Sequence, residues 1–89
     1  MAEVKFTPNL QRHLAGSHLD VGGSTVGEVL ERVVERNPDL RDRLLDDRGR
    51  LQTRIVVFVD GALIEDRARL SDPVEPAAEL FVMQALQGS

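Results

Sequence analysis

The sequence predicts an α+β domain in which a mixed β-sheet is covered on one face by a single amphipathic helix. Three observations predict it. Val4-Lys5-Phe6-Thr7 and His18-Leu19-Asp20-Val21 alternate apolar and polar residues, the period of half-buried strands. Val26, Val29, Leu30, Val33 and Val34 recur at helical spacing and make one apolar stripe, which has to be buried against something flat. Ile55 to Val59 and Leu80 to Met83 are short runs with the apolar density of strands inside a sheet.

Taken in order, the first strand ends at Pro8-Asn9, and Leu10 to Gly16 reads as a connection to the second, which Gly22-Gly23 closes. The two strands are expected to form a hairpin-like pair. Thr25-Val26-Gly27-Glu28 has the spacing of a capping box, with the Thr25 hydroxyl accepting from a first-turn N–H and Glu28 reaching back to the cap. Asn37-Pro38 ends the helix, because proline lacks the donor a helix needs and disfavours helix in the residue before it. Asp39 to Leu45 reads as one or two further helical turns with Leu40, Leu44 and Leu45 inward.

Asp46 to Arg50 is a polar loop, and Leu51 to Val59 reads as a strand. Its residues Ile55 to Val59 are apolar on both parities, which predicts a central position in the sheet. Asp60-Gly61 is a hairpin signal, and Ala62-Leu63-Ile64 returns from it. Glu65 to Glu79 is irregular, since Pro73 and Pro76 exclude a long helix, and Leu80 to Met83 is the last strand. The order strand, strand, helix, strand, short strand, strand is that of a β-grasp, or ubiquitin-like, architecture. Its first and last strands are expected side by side and parallel at the centre.

The 89 residues make one domain, 1–89, with a flexible C-terminal tail over 84–89. A chain this small has no room for a large enclosed cleft, so a binding or carrier module is favoured over an enzyme. Cysteine is absent, which excludes disulfides, a thiolate nucleophile and a zinc knuckle and fits a reducing compartment. No apolar run is long enough for a membrane span and the N-terminus has no signal pattern, so a soluble, cytoplasmic protein with no membrane partner is expected. The net charge of −4 argues against nucleic acid as a partner. Arg41, Arg43, Arg48, Arg50 and Arg54 are interleaved with Asp39, Asp42, Asp46 and Asp47, the pattern of a self-neutralising solvated surface. Of the 11 basic residues only Lys5 is lysine, which leaves few side-chain amines for isopeptide chemistry.

Catalytic constellations are weak. His13 and His18, the two imidazoles, fall on a connection and a strand without ligand geometry. Asp46-Asp47 lies in a polar loop. Gly22-Gly23-Ser24 precedes a helix and resembles an anion-binding turn, but it lacks the phosphate-loop lysine and reads as turn chemistry. No metal and no bound cofactor is therefore expected. The tail Gln84 to Ser89 is too short and unpatterned for another element, so the last strand holds the terminal carboxylate at a defined exit point. Two readings compete for it: an ordinary frayed end rich in small polar residues, or a reactive terminal carboxyl group.

Gly23-Ser24-Thr25-Val26-Gly27-Glu28-Val29-Leu30, Ile55-Val56-Val57-Phe58-Val59-Asp60-Gly61, and the acidic, proline-containing stretch before Leu80-Phe81-Val82-Met83 with its glycine-containing tail resemble the MoaD/ThiS-like sulfur-carrier family of ubiquitin-like proteins. That branch includes the small subunit of molybdopterin synthase, the thiamin sulfur carrier and carriers for cysteine and other thio-metabolites. The resemblance implies a C-terminal carboxylate that an ATP-dependent activating enzyme adenylates and that is then converted to a thiocarboxylate. It implies, as partners, that adenylating enzyme, a sulfur-accepting synthase and a tail-trimming protease, with ATP used by the activating enzyme and catalysis left to partners. The family ends in two glycines, which can thread a narrow channel as an extended chain without side chains.

This chain ends Gln87-Gly88-Ser89, so Gly88 matches the first glycine and Ser89 stands in place of the second. Three readings stay open: Ser89 is terminal in the working molecule, Ser89 is removed to leave Gly88, or the chain was altered at its end. The candidate sites are thus Gly88 and Ser89 for adenylation and thiocarboxylate formation, and Phe58, Phe81, Met83 and Gln87 for partner binding. The alternative function is a ubiquitin-like interaction module or protein modifier that docks through its sheet face, with Phe58, Phe81 and Met83 as an apolar patch there or as ordinary core.

Overall fold

The computed structural model describes residues 1–12 and 18–85, with His13 and Gln87, Gly88 and Ser89 outside the described residues. Five strands form one mixed sheet in the order β2-β1-β5-β3-β4. They are β1 (Ala2–Phe6), β2 (His18–Val21), β3 (Ile55–Val59), β4 (Ala62–Leu63) and β5 (Glu79–Gln84). β1 pairs antiparallel with β2 and parallel with β5, while β5 pairs antiparallel with β3. The first and last strands therefore do lie side by side and parallel at the centre, as the β-grasp expectation requires.

The helix α2 (Val26–Arg36) covers one face. Its stripe Val26, Val29, Leu30, Val33 and Val34 is buried, and it meets the inward residues Ala2, Val4, Phe6, Val21, Ile55, Val57, Leu80 and Val82 in one core cluster. The buried apolar residues of this cluster supply the main driving force, because removal of apolar surface from water is the dominant favourable term in folding. Thr25 is the N-cap, its hydroxyl accepting from the Glu28 N–H at 3.2 Å. Glu28 reaches back one residue further than expected: its carboxylate accepts from the backbone N–H and the hydroxyl of Ser24. Asn37 caps the C-terminus, and Pro38 opens a 3₁₀ turn (Pro38–Leu40) that leads into α3 (Arg41–Leu44), with Leu40, Leu44 and Leu45 all buried as expected.

Several boundaries differ from the sequence expectation: β1, expected over Val4 to Thr7, runs over Ala2–Phe6, and β4 stops at Leu63 rather than Ile64. Pro8 does not merely end β1 but opens the one-turn helix α1 (Pro8–Gln11), where proline's fixed φ suits the first helical position. That turn buries Leu10 completely. The strand expected over Leu51 to Val59 begins only at Ile55, because Leu51 pairs in an isolated bridge with Leu45 and closes the Asp46 turn instead. β5 is longer than Leu80 to Met83, extending from Glu79 through Gln84.

β3 is an inner strand, yet its two apolar parities have different causes. Ile55 and Val57 face the core, whereas Val56 and Phe58 lie on the face opposite the helix and are only half-buried. The segment Glu65 to Ala78 is irregular. It ties to α2 through Val26 N–H donating to Asp72 O and Gly27 N–H donating to Leu70 O, at 3.0 and 2.8 Å.

Candidate functional site

Among the described residues, no three His, Asp, Glu or Cys side chains gather as a metal-binding group, and no helix is long and apolar enough to cross a membrane. The helix N-terminus after Gly22-Gly23-Ser24 is not a phosphate cradle. Its first free N–H groups are taken by Asp72 O, Leu70 O and the Thr25 hydroxyl, so none is left for an anion. Asp46, read as solvated, organises its turn: one carboxylate oxygen accepts from the N–H groups of Arg48 and Arg50. These bonds, that from Arg50 foremost, hold its pKa below the usual carboxylate range.

Two features remain with chemical content, and β5 joins them. The first is the exit of the chain from the sheet. Thr7 Oγ1 accepts from the Gln84 N–H at 3.3 Å, and the Thr7 N–H donates to Val82 O. On the other side the Ala85 N–H donates to Arg54 O at 2.8 Å. The strand is thus gripped from both flanks up to the last described residue, and whatever follows leaves from a defined point. Beside that point lies an open groove of about 600 Å³ lined by Asp42, Arg43, Gln52, Thr53, Arg54, Ile55 and Gln84.

The second feature is the sheet face that α2 leaves uncovered. Strand alternation puts Glu79, Phe81 and Met83 on it from β5, Glu3 and Lys5 from β1, and Val56 and Phe58 from β3. The register sets them in rows: Phe81 stands opposite Phe58 and beside Lys5, Phe58 opposite Leu63 on β4, and Met83 opposite Val56. Phe81 and Leu63 are 37% and 57% exposed, while Phe58 and Met83 are half-buried. Phe58, Phe81 and Met83 are therefore brought together on one face. Leu63 was not singled out in the sequence because a two-residue return strand gives no alternation to read. Lys5 Nζ lies 3.6 Å from a Glu79 carboxylate oxygen and 3.8 Å from one of Glu3.

No family model matches the chain, and no curated protein matches it. Solved structures do. The crystal structure of SAMP1 from Haloferax volcanii is 26% identical, with 99% of this chain and 98% of that one covered and a TM-score of 0.81. A chain in the crystal structure of the Amycolatopsis orientalis BexX/CysO complex matches at 22% identity, full coverage of both chains and a TM-score of 0.87. CysO from Mycobacterium tuberculosis matches at 17% identity over 97% of this chain and 100% of that one, with a TM-score of 0.84. The fold of this chain is the β-grasp of ubiquitin-like proteins, and the molecules it resembles are sulfur carriers and small protein modifiers of the MoaD/ThiS type.

Proposed function

We propose that the chain is a sulfur carrier whose C-terminal carboxylate, on Gly88 or Ser89, is the working group. The observation that carries this reading is the two-sided grip on β5, with Gln84 tied to Thr7 and Ala85 to Arg54 immediately before the tail. A partner enzyme that must bring a carboxylate to a nucleotide needs the tail to start from a reproducible place, since a near-attack geometry is worth orders of magnitude in rate.

The chemistry needs no side chain of the carrier. The carboxylate attacks the α-phosphorus of ATP on the activating enzyme, an acyl–oxygen–phosphorus linkage forms, and pyrophosphate leaves. A sulfur donor at the sulfide level then attacks the acyl carbon, the carbon–sulfur bond forms, AMP departs with the carbon–oxygen bond's electrons, and a proton is released. The thiocarboxylate so formed is the cargo for a sulfur-accepting synthase. The molybdopterin, thiamin and cysteine carriers share this scheme, and specificity among them would rest on the carrier's docking surfaces.

Incubating the full chain, and a version ending at Gly88, with the host's ATP-dependent activating enzyme tests the reading by pyrophosphate release. Intact mass then reads the exchange of one oxygen for sulfur. Adenylation of either form supports it; failure of both sinks it. A second reading, a ubiquitin-like modifier or docking module, is favoured by the exposed Phe81 and Leu63 on the uncovered face. Deleting Gln87 to Ser89 separates the two, because a docking module keeps its partner while a carrier loses all activity.

A further inference from the structure

The uncovered face is not uniformly apolar. Along β5 it changes character every second residue, from Glu79 to Phe81 to Met83, and the neighbouring strands extend each step into a cross-strand row. Glu79 stands beside Glu3, and Glu3 opposite Asp20. Asp60 is clasped to the same end of β5, its N–H donating to Glu79 O and its carboxylate accepting from the Glu79 N–H. Glu3 and Glu79 thus form the row next to Phe81, with Asp20 beyond Glu3 on β2 and Asp60 bonded to the Glu79 backbone at the start of β5, and the one lysine of the chain, Lys5, lies between Glu3 and Glu79.

We propose that this face docks a partner surface that accepts the Phe81–Phe58–Leu63 row in an apolar hollow and presents arginine or lysine side chains to the acidic border. The border and the tail exit lie at opposite ends of β5, six residues or about 20 Å apart. Charge pairing at one end therefore fixes which way round the chain lies and delivers the tail at the other. Opposite potentials across an interface set register and speed encounter more than they add raw affinity.

A second copy of the chain is a poorer occupant. Each copy carries a net charge of −4, which opposes association. Two exposed and three half-buried side chains also cover only a few hundred Å², against about 800 Å² per partner in a standard stable interface. A transient, charge-steered contact fits that area.

The inference deepens the carrier reading by naming the chemistry of its partner, but its test does not depend on tail chemistry. The ¹⁵N-labelled full chain is titrated with two synthetic amphipathic peptides of identical leucine and phenylalanine content, one carrying arginines and the other glutamates at the polar positions. The arginine peptide is expected to shift the amides of Lys5, Val56, Phe58, Leu63 and Phe81. It should bind about tenfold more tightly than the glutamate peptide at low salt, and the difference should shrink as screening grows.

The triple variant Asp20→Asn, Glu3→Gln, Glu79→Gln abolishes the preference, while Glu31→Gln with Glu35→Gln, on the exposed side of α2, retains it. Equal affinity for the two peptides, shifts centred on α2 or on the Arg43–Arg54 groove, or a dimer in sedimentation equilibrium that occludes Phe81 overturns the proposal. An absent adenylate with a preserved arginine preference would remove the carrier reading alone.

Discussion

The hydroxyl of Thr7 accepts a hydrogen bond from the backbone N–H of Gln84, 3.3 Å away and 77 residues later in the chain. It holds the end of the central strand from the β1 side, where the ladder itself stops. Replacement of Thr7 by Val keeps the shape and removes the acceptor. The expected loss is about 1 kcal/mol of stability, with faster amide exchange at Gln84 and Ala85 than at Leu80. Thr7→Ser restores the slow exchange. Unchanged exchange at Gln84 in Thr7→Val would show that the bond does not hold the exit.

Leu80 and Phe81 are neighbours in β5 with opposite duties. Leu80 is fully buried beneath α2 and Phe81 is more than a third exposed on the other face. Leu80→Ala is expected to cost about 2–5 kcal/mol in urea unfolding, as core truncations do. Phe81→Ser should leave the unfolding midpoint nearly unchanged, and its effect should appear instead as weaker binding of the arginine-bearing amphipathic peptide. A large stability loss for Phe81→Ser would return this residue to the core.

Glu28 couples the helix cap to pH. Its carboxylate accepts from the Ser24 backbone N–H, with the Ser24 hydroxyl and the Arg32 charge adding to the effect, and its pKa is lowered. Asp66 is lowered too, first by the Ser71 hydroxyl and then by the Arg69 N–H. A carboxylate with a lowered folded-state pKa contributes stability that is present above its unfolded value and is lost as pH falls through the folded one. Stability should therefore decline below about pH 4, the ordinary carboxylate range. Glu28→Gln and Asp66→Asn should each flatten that decline in thermal melts taken from neutral to acid pH, and an unaltered acid limb in both would refute the coupling.

Gly27 sits inside the first turn of α2, where alanine would ordinarily stabilise a helix by about 1 kcal/mol. Here a Cβ would stand 3.3 Å from Leu70 O. That carbonyl cannot easily withdraw, because it accepts from the Gly27 N–H at 2.8 Å while the Leu70 N–H donates to Asp66 O. Leu70 is also buried, and it is already in the left-handed region at φ 57°. Gly27→Ala is accordingly expected to destabilise, contrary to its propensity, by denaturant titration.

The helix, its cap and the parallel pairing of first and last strands were legible because each is written in local periodicity or in element order. The stripe from Val26 to Val34 is buried in full, and Asp60-Gly61 turns as its residues require, with positive φ at both positions. Leu10 reads as part of a connection because a single helical turn has too few residues to show a period. Phe58 and Met83 could not be divided between core and surface from the sequence, since apolar residues on both parities describe a covered strand and an open apolar face equally well.

The acidic border was invisible for a different reason. Asp20, Glu3, Glu79 and Asp60 are scattered along the chain, and only the register of β2, β1 and β5 and the clasp between Asp60 and Glu79 align them. The tail residues Gln87, Gly88 and Ser89 lie outside the described residues, so their roles rest on the resemblance and the proposal built on it.

The central position of β5 also has a mechanical consequence. A pull on the tail runs along the strand axis, and β1 and β3 grip that strand through ladders on both sides. Hydrogen bonds that run across the strands are then loaded in shear and share the tension, rather than opening one after another as in a peeled edge. Tension applied beyond Ala85 therefore loads the domain along its strongest axis without unravelling it.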